Sequence, residues 1–104
     1  MAKFYVESGS VRMVIASEDA HRAVLWMVHR IMESLGPIYQ DDTFTEDQRL
    51  DSVIIESLLD LESEISVNEQ GFGRDDSEKW ETLDIIMYWH QLMTALSRLD
   101  CDNL

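Results

Sequence analysis

The sequence predicts an α+β fold, in which a small antiparallel sheet forms one layer and two long helices form the other. Three observations predict this class. Apolar residues alternate on both sides of a Gly-Ser pair near the N terminus, two long segments have apolar residues at helical spacing, and a short alternating segment lies between them. The predicted order is β-β-α-(α)-β-α. This order lacks the repeated strand and helix alternation of a doubly wound sheet, and a two-layer arrangement is the simplest alternative.

Length and composition predict a single domain that spans residues 1–104. The chain has 104 residues, of which 45% are hydrophobic and 28% are charged, and these values suit one core but not two. No apolar run approaches the roughly 18 residues that cross a bilayer, and Glu7 interrupts the start before a signal segment could form. We therefore expect a cytoplasmic protein without membrane contacts. The single cysteine, Cys101, fits a reducing compartment.

The first two strands are predicted at 3–8 and 11–16. Gly9-Ser10 between them suits a type II′ turn, because glycine tolerates a positive φ at the first central position. This turn fixes the register and produces one apolar face. The predicted pairs are Phe4 with Ile15, Val6 with Met13, Ser8 with Val11 and, on the opposite face, Glu7 with Arg12.

A first long helix is predicted to follow Ser17, which we expect to be its N-cap, and to end at Leu35 before Gly36-Pro37. Its apolar residues occupy one arc, as is typical of a helix that lies on a sheet. They are Ala20, Ala23, Val24, Met27, Val28, Ile31, Met32 and Leu35. Trp26 breaks this pattern, because it falls on the opposite face among polar residues that include Arg22, His29 and Glu33.

The segment at about 36–62 is predicted to be an acidic connector followed by a helix at about 46–61. Thr43 and Glu46 have capping-box spacing, and apolar residues recur at helical intervals after them. Two alternatives stay open. The β-branched run Val53-Ile54-Ile55 also suits a strand, and the acidic composition also suits partial disorder.

A third strand is predicted near 63–69, and the last helix is predicted to be capped by Asp75 or Asp76 and to run to about Leu99. Its main buried arc is expected to hold Ile85, Ile86, Tyr88, Trp89, Leu92, Met93, Ala95, Leu96 and Leu99. A second apolar stripe on the far side comprises Trp80, Leu83 and Met87.

Charge is distributed unevenly along the chain. The formal net charge is -13, which repels nucleic acids and anionic membranes, so we expect neither as a partner. Residues 1–40 carry four basic and four acidic side chains, whereas residues 41–64 carry nine acidic side chains and one basic. This acidic segment is either a solvated surface or a patch for a basic partner.

Motifs for catalysis and for cofactors are absent from the sequence. There is no Gly-x-Ser-x-Gly motif, and Gly71-Phe72-Gly73 lacks the remaining residues of a phosphate-binding loop. The acidic residues from Asp75 to Glu78 lack calcium-loop spacing, and His29 with Glu33 supplies only two metal ligands. We therefore expect no catalytic residue, no metal and no cofactor.

The functional hypothesis rests on the apolar and aromatic residues outside the predicted arcs. If the helix at 46–61 leaves Trp80, Leu83 and Met87 uncovered, these residues have the composition of a protein interface. The first hypothesis is a non-catalytic domain that binds a protein partner or forms a homodimer, through this stripe or through the acidic segment. The alternative is a small ligand-binding or metal-binding domain, or an enzyme. Its site would use the face that carries Arg22, Trp26, His29 and Glu33.

Overall fold

The structure is a computed structural model that describes the backbone of residues 1–102 and the side chains of residues 1–99. The α+β class is confirmed: an antiparallel sheet of four strands, in the order β2-β1-β3-β4, packs against helices. The elements in chain order are β1 (Ala2–Ser8), β2 (Val11–Ser17), α1 (Ala20–Ile31), a 3-10 helix (Glu33–Tyr39), α2 (Glu46–Asp60), β3 (Glu64–Asn68), β4 (Glu78–Glu81) and α3 (Thr82–Asp102).

The hairpin has the predicted register. Phe4 pairs with Ile15, Val6 with Met13, Ser8 with Val11 and Glu7 with Arg12. Gly9 has φ +59°, whereas no described residue other than glycine has a positive φ, so the turn has the single positive φ expected of type II′. The local sequence therefore determines this part of the sheet.

The predicted boundaries of the first helix are wrong at both ends. Asp19, not Ser17, is the N-cap, and its carboxylate accepts a hydrogen bond of 2.8 Å from the backbone N–H of Arg22. Ser17 stays in β2 because it pairs with Ala2. The α-helix ends at Ile31, and the chain continues through Gly36-Pro37 as the 3-10 helix, which carries Tyr39 into the core.

The helix predicted at 46–61 is confirmed as α2, so the strand alternative is wrong. The capping box lies two residues later than predicted. Thr45 and Gln48 form it, with reciprocal bonds of 3.1 and 2.9 Å. Thr43 instead donates its backbone N–H to the Asp41 carboxylate at 2.9 Å, because an Asx turn precedes the helix.

The third strand is confirmed as β3, but the prediction that the last helix begins near residue 76 is wrong. Residues 78–81 form β4, which pairs antiparallel with β3 and places Trp80 opposite Ile65. Neither Asp75 nor Asp76 caps a helix, because the strand β4 follows them, and Arg74 contacts the Asp76 carboxylate at 3.0 Å. The helix begins only at Thr82, whose backbone N–H donates to the Ser63 carbonyl at 2.9 Å.

The core lies between one face of the sheet and the helices. Its buried hydrophobic residues are Phe4, Val6, Ala23, Val24, Met27, Val28, Met32, Tyr39, Val53, Leu61, Ile65, Val67, Ile85, Ile86 and Trp89. No helix of residues 1–102 packs on the opposite face of the sheet. There, the Phe72 ring from the β3–β4 loop packs edge-on against Tyr5, at 5.2 Å between ring centroids. The domain therefore has two layers, as predicted.

The predicted buried arc of the last helix is correct only in its first half. Ile85, Ile86 and Trp89 are buried, but Leu92, Leu96 and Leu99 are 38%, 54% and 57% exposed, and Tyr88 is also exposed. Helical spacing places these residues on one side, yet only neighbouring elements can bury them. The second half of α3 consequently presents apolar side chains to solvent.

No helix in the described part of the chain is long and apolar enough to cross a membrane.

Candidate functional site

The structure brings three of the predicted site residues into a groove between α1 and α3. This groove, which we call the α1/α3 groove, has a volume of about 460 Å³. Its lining residues are Arg22, Leu25, Trp26 and His29 from α1 and Trp89, Leu92, Met93 and Leu96 from α3. Glu33, the fourth residue of the alternative hypothesis, lies at the start of the 3-10 helix and does not line the groove.

The α1 side of the groove combines an exposed tryptophan with a neutralised arginine. Trp26 is 55% exposed, in agreement with its predicted position outside the apolar arc, and its ring lies edge-on to His29 at 5.6 Å between centroids. Arg22 forms ion pairs with Glu18 and, at 3.7 Å, with Asp19. Because carboxylates from its own segment already pair with it, Arg22 is a poor anchor for an anionic ligand.

Trp89 forms the floor of the α1/α3 groove. This side chain is buried, and its indole Nε1–H donates a hydrogen bond of 3.1 Å to Nδ1 of His29. The bond links α1 to α3 and occupies one of the two imidazole nitrogens, so His29 has only Nε2 left for any further ligand. Among residues 1–99, no three His, Cys, Asp or Glu side chains are grouped to bind a metal.

A buried polar pair, Tyr39 and His90, lies behind Trp89. The Tyr39 ring packs edge-on against Trp89 at 5.6 Å, and the Tyr39 hydroxyl lies 2.7 Å from Nδ1 of His90. Burial raises the pKa of Tyr39 to about 12, with the positive charge of Arg49 opposing the shift. Tyr39 therefore keeps its proton at neutral pH, and its hydroxyl donates to His90 in the tautomer whose Nδ1 carries no hydrogen.

His90 is buried in the structure, on the side of α3 that faces Tyr39. Burial lowers the pKa of His90, and the Glu46 carboxylate, whose Oε1 lies 3.8 Å from Nε2, only partly opposes this shift. Tyr39, His90 and Glu46 resemble a proton relay in geometry. Tyr39 and His90 are both shielded from solvent, and their contacts join the 3-10 helix, α2 and α3.

The stripe predicted from Trp80, Leu83 and Met87 is not continuous. Trp80 belongs to β4 and is half-buried, with its ring 5.1 Å from that of His21 and its buried indole N–H without a partner among the described residues. Leu83 and Met87 do lie on α3, on the edge that faces away from α1, and are 55% and 37% exposed. Leu83 is therefore largely uncovered, and Met87 is only partly uncovered.

The acidic segment forms a second cleft at the C-terminal end of α2. Leu58, Leu61 and Leu83 contribute apolar lining, and Glu62, Glu64 and Glu81 contribute carboxylates, in a volume of about 430 Å³. We call it the acidic cleft.

The side chain of Cys101 lies outside the described residues.

Sequence reasoning missed the contribution of α3 to the groove, although a signal was present. Ile85, Trp89, Leu92, Leu96 and Leu99 follow the alternating three- and four-residue spacing of a coiled-coil seam. The first two are buried inside the domain and the last three continue the seam into solvent. This pattern, rather than the i, i+3, i+7 stripe, indicates the longer exposed apolar surface.

No protein-family model matches this chain, and comparisons with curated proteins and with solved structures find no significant match.

Proposed function

We propose that the protein is a non-catalytic interaction domain that forms a homodimer through the α1/α3 groove. The observation that carries this proposal is the exposed seam of Leu92, Leu96 and Leu99, which lies beside the exposed Trp26. A second helix that covers such a seam stabilises the complex, because full burial of each leucine side chain contributes roughly 1.5–3 kcal/mol of favourable free energy.

The composition of the groove supports a protein ligand over a small substrate. Tryptophan, methionine and leucine dominate its lining, and aromatic residues and methionine are enriched in protein interfaces. Catalysis needs polar groups that converge from separate elements. The polar side chains that line the groove are Arg22 and His29, both from α1, and each already has a protein partner.

Charge supports a second copy of this chain as the occupant. Helix α1 carries Arg22 and Arg30 and no acidic residue, and Arg98 lies on the exposed half of α3. Two chains of net charge -13 repel each other over most of their surface. The α1/α3 face avoids most of this repulsion, because the acidic segment lies on α2, at the other edge of α3.

The test is the solution mass of three proteins by size-exclusion chromatography with light scattering. We expect wild type at twice the chain mass of 12.1 kDa, and Leu92→Glu/Leu96→Glu at the monomer mass with unchanged helical circular dichroism. The control is Leu83→Glu/Met87→Glu, which adds the same charge to the other edge of the same helix and is expected to leave the dimer intact.

Two results would overturn the proposal. One is a wild-type protein that stays monomeric at high micromolar concentration. The other is a dimer that survives Leu92→Glu/Leu96→Glu, which would move the interface to another surface. The long edge strand β2 (Val11–Ser17) would then be the next surface to test, because its outer backbone groups are free to pair with another strand.

A further inference from the structure

We infer that the acidic cleft binds a partner protein through a segment in which an aliphatic side chain is flanked by lysines or arginines. This surface is separate from the α1/α3 groove, so the inference goes beyond the proposed dimer. It commits to a basic, amphipathic segment of a different protein as the occupant.

Buried hydrogen bonds hold the wall of the cleft in place. The Ser8 hydroxyl accepts a bond of 2.9 Å from the Glu62 backbone N–H and donates one of 2.8 Å to the Glu64 carbonyl. The Thr82 hydroxyl donates to the Glu62 carbonyl. Because Ser8 and Thr82 are both buried, the backbone that carries the carboxylates is fixed before any ligand arrives.

The cleft offers apolar surface that the domain itself does not cover. Leu58 and Leu83 are both largely exposed, and Leu61 is buried beneath them as part of the core. An aliphatic side chain of a ligand that reached this surface would remove apolar area from water on both molecules. The leucines therefore account for the aliphatic part of the proposed segment.

The rim carries negative charge without compensation. Glu64 lies directly opposite Glu81 in the pairing of β3 with β4, and like charges at such a position are destabilising. Among the described residues, no ion pair involves Glu62, Glu64 or Glu81, and residues 100–104 contain no basic side chain. A cationic group on a ligand would relieve this repulsion.

Charge also selects among possible occupants. A second copy of this chain would bring its own excess of carboxylates, and nucleic acids or anionic membranes would be repelled. Lys79 lies two residues before Glu81, opposite Ser66, and makes no ion pair within the described part of the chain. No described side chain therefore supplies the positive charge that the rim lacks, and a basic ligand would supply it.

The test is fluorescence anisotropy with a short, amidated, fluorescein-labelled peptide of leucine and lysine. Wild-type protein is expected to bind it with saturation, and a peptide with serine in place of every leucine is expected to bind at least about tenfold more weakly. A leucine and glutamate peptide is expected not to bind.

Matched protein variants distinguish binding at the acidic cleft from a general effect of net charge. Glu62→Gln/Glu64→Gln/Glu81→Gln is expected to weaken binding by about tenfold or more. The control, Asp42→Asn/Asp47→Asn/Asp51→Asn, changes the net charge by the same amount elsewhere in the acidic segment and is expected to weaken it by less than about threefold. Circular dichroism checks that both variants are folded.

Three outcomes would overturn the inference: no saturable binding to wild type, equal weakening in the two triple variants, or equal affinity for the leucine and serine peptides. Leu92→Glu/Leu96→Glu is expected to bind the peptide like wild type. Loss of binding in that variant would instead place the peptide in the α1/α3 groove. Because this assay reads peptide affinity rather than mass, its failure is distinguishable from failure of the homodimer proposal.

Discussion

Helices α1 and α2 pack on opposite edges of α3 and differ in both anchoring and charge. Helix α1 buries Ala23, Val24, Met27 and Val28 and has two basic residues and no acidic one. Helix α2 buries only Val53 and Ser57 and has five acidic residues and one basic. Both helices lie beside apolar side chains that are exposed to solvent, but the charged residues around those side chains differ in sign and number.

The largest expected effect tests whether α1 is packed more firmly into the core than α2. Val24→Asp buries a carboxylate between α1 and the sheet and is expected to cost about 4 kcal/mol or more of unfolding free energy. Val53→Asp is expected to cost less, because α2 can undock and expose the new charge while the sheet and α1 stay folded. Urea denaturation measures the two costs, and amide exchange locates the opening.

In Val53→Asp we expect faster exchange to be confined to α2 and the 3-10 helix, with β1 and β2 still protected. Equal urea midpoints for the two variants, with uniform exchange in both, would show that α2 is as firmly anchored as α1. The two helices would then not differ in how firmly they pack on the rest of the domain.

The next effect tests the contact between the 3-10 helix and α3. Tyr39→Phe removes the hydroxyl 2.7 Å from Nδ1 of His90 and leaves that buried nitrogen without its partner, so we expect a loss of about 1–3 kcal/mol. Urea denaturation at pH 8 measures it. A loss near zero would mean that water readily replaces the hydroxyl and that this contact is not buried.

Because His90 is buried, we also expect folding stability to depend on pH through this contact. Burial holds its pKa below the ordinary 6.5 in the folded state, so below about pH 6.5 the unfolded chain binds a proton that the folded chain does not. Folding stability is therefore expected to fall as pH drops from 6.5 towards the folded pKa. Urea midpoints measured across this range should show a weaker pH dependence in His90→Gln than in wild type.

The smallest expected effect concerns Gly9 in the β1–β2 turn, which lies next to Glu62 of the acidic segment. Gly9→Ala is expected to cost about 1–2 kcal/mol, because φ is +59° and alanine is strained in that conformation. A Cβ would also lie 3.1 Å from Cγ of Glu62, at the acidic cleft. Glu62→Ala in the same chain should recover the part due to crowding but not the part due to φ. Thermal unfolding of the single and double variants measures both parts, and a Gly9→Ala protein as stable as wild type would contradict the turn geometry.

Three of the four residues on the predicted polar face of α1 line the observed groove, since Arg22, Trp26 and His29 share a helix face by spacing alone. Glu33 falls outside because the α-helix ends at Ile31, which changes the direction of the chain. The spacing of the apolar residues on α3 indicates a continuous seam, but spacing alone could not predict which part of that seam is exposed. Helical spacing shows that Leu92 and Leu96 share a side of α3, but not whether another element reaches them.

The sequence by itself determined the hairpin with its register, β3 and the buried arc of α1, and it left residues 46–61 open between a helix, a strand and partial disorder. These features depend on residues close together in the chain: a glycine in a two-residue turn, alternating side chains and apolar residues at helical intervals. Only the tertiary structure decided that residues 78–81 form a strand, because four residues adopt that conformation through their pairing with β3. It also decided which apolar residues are buried, since burial depends on contacts with segments distant in sequence.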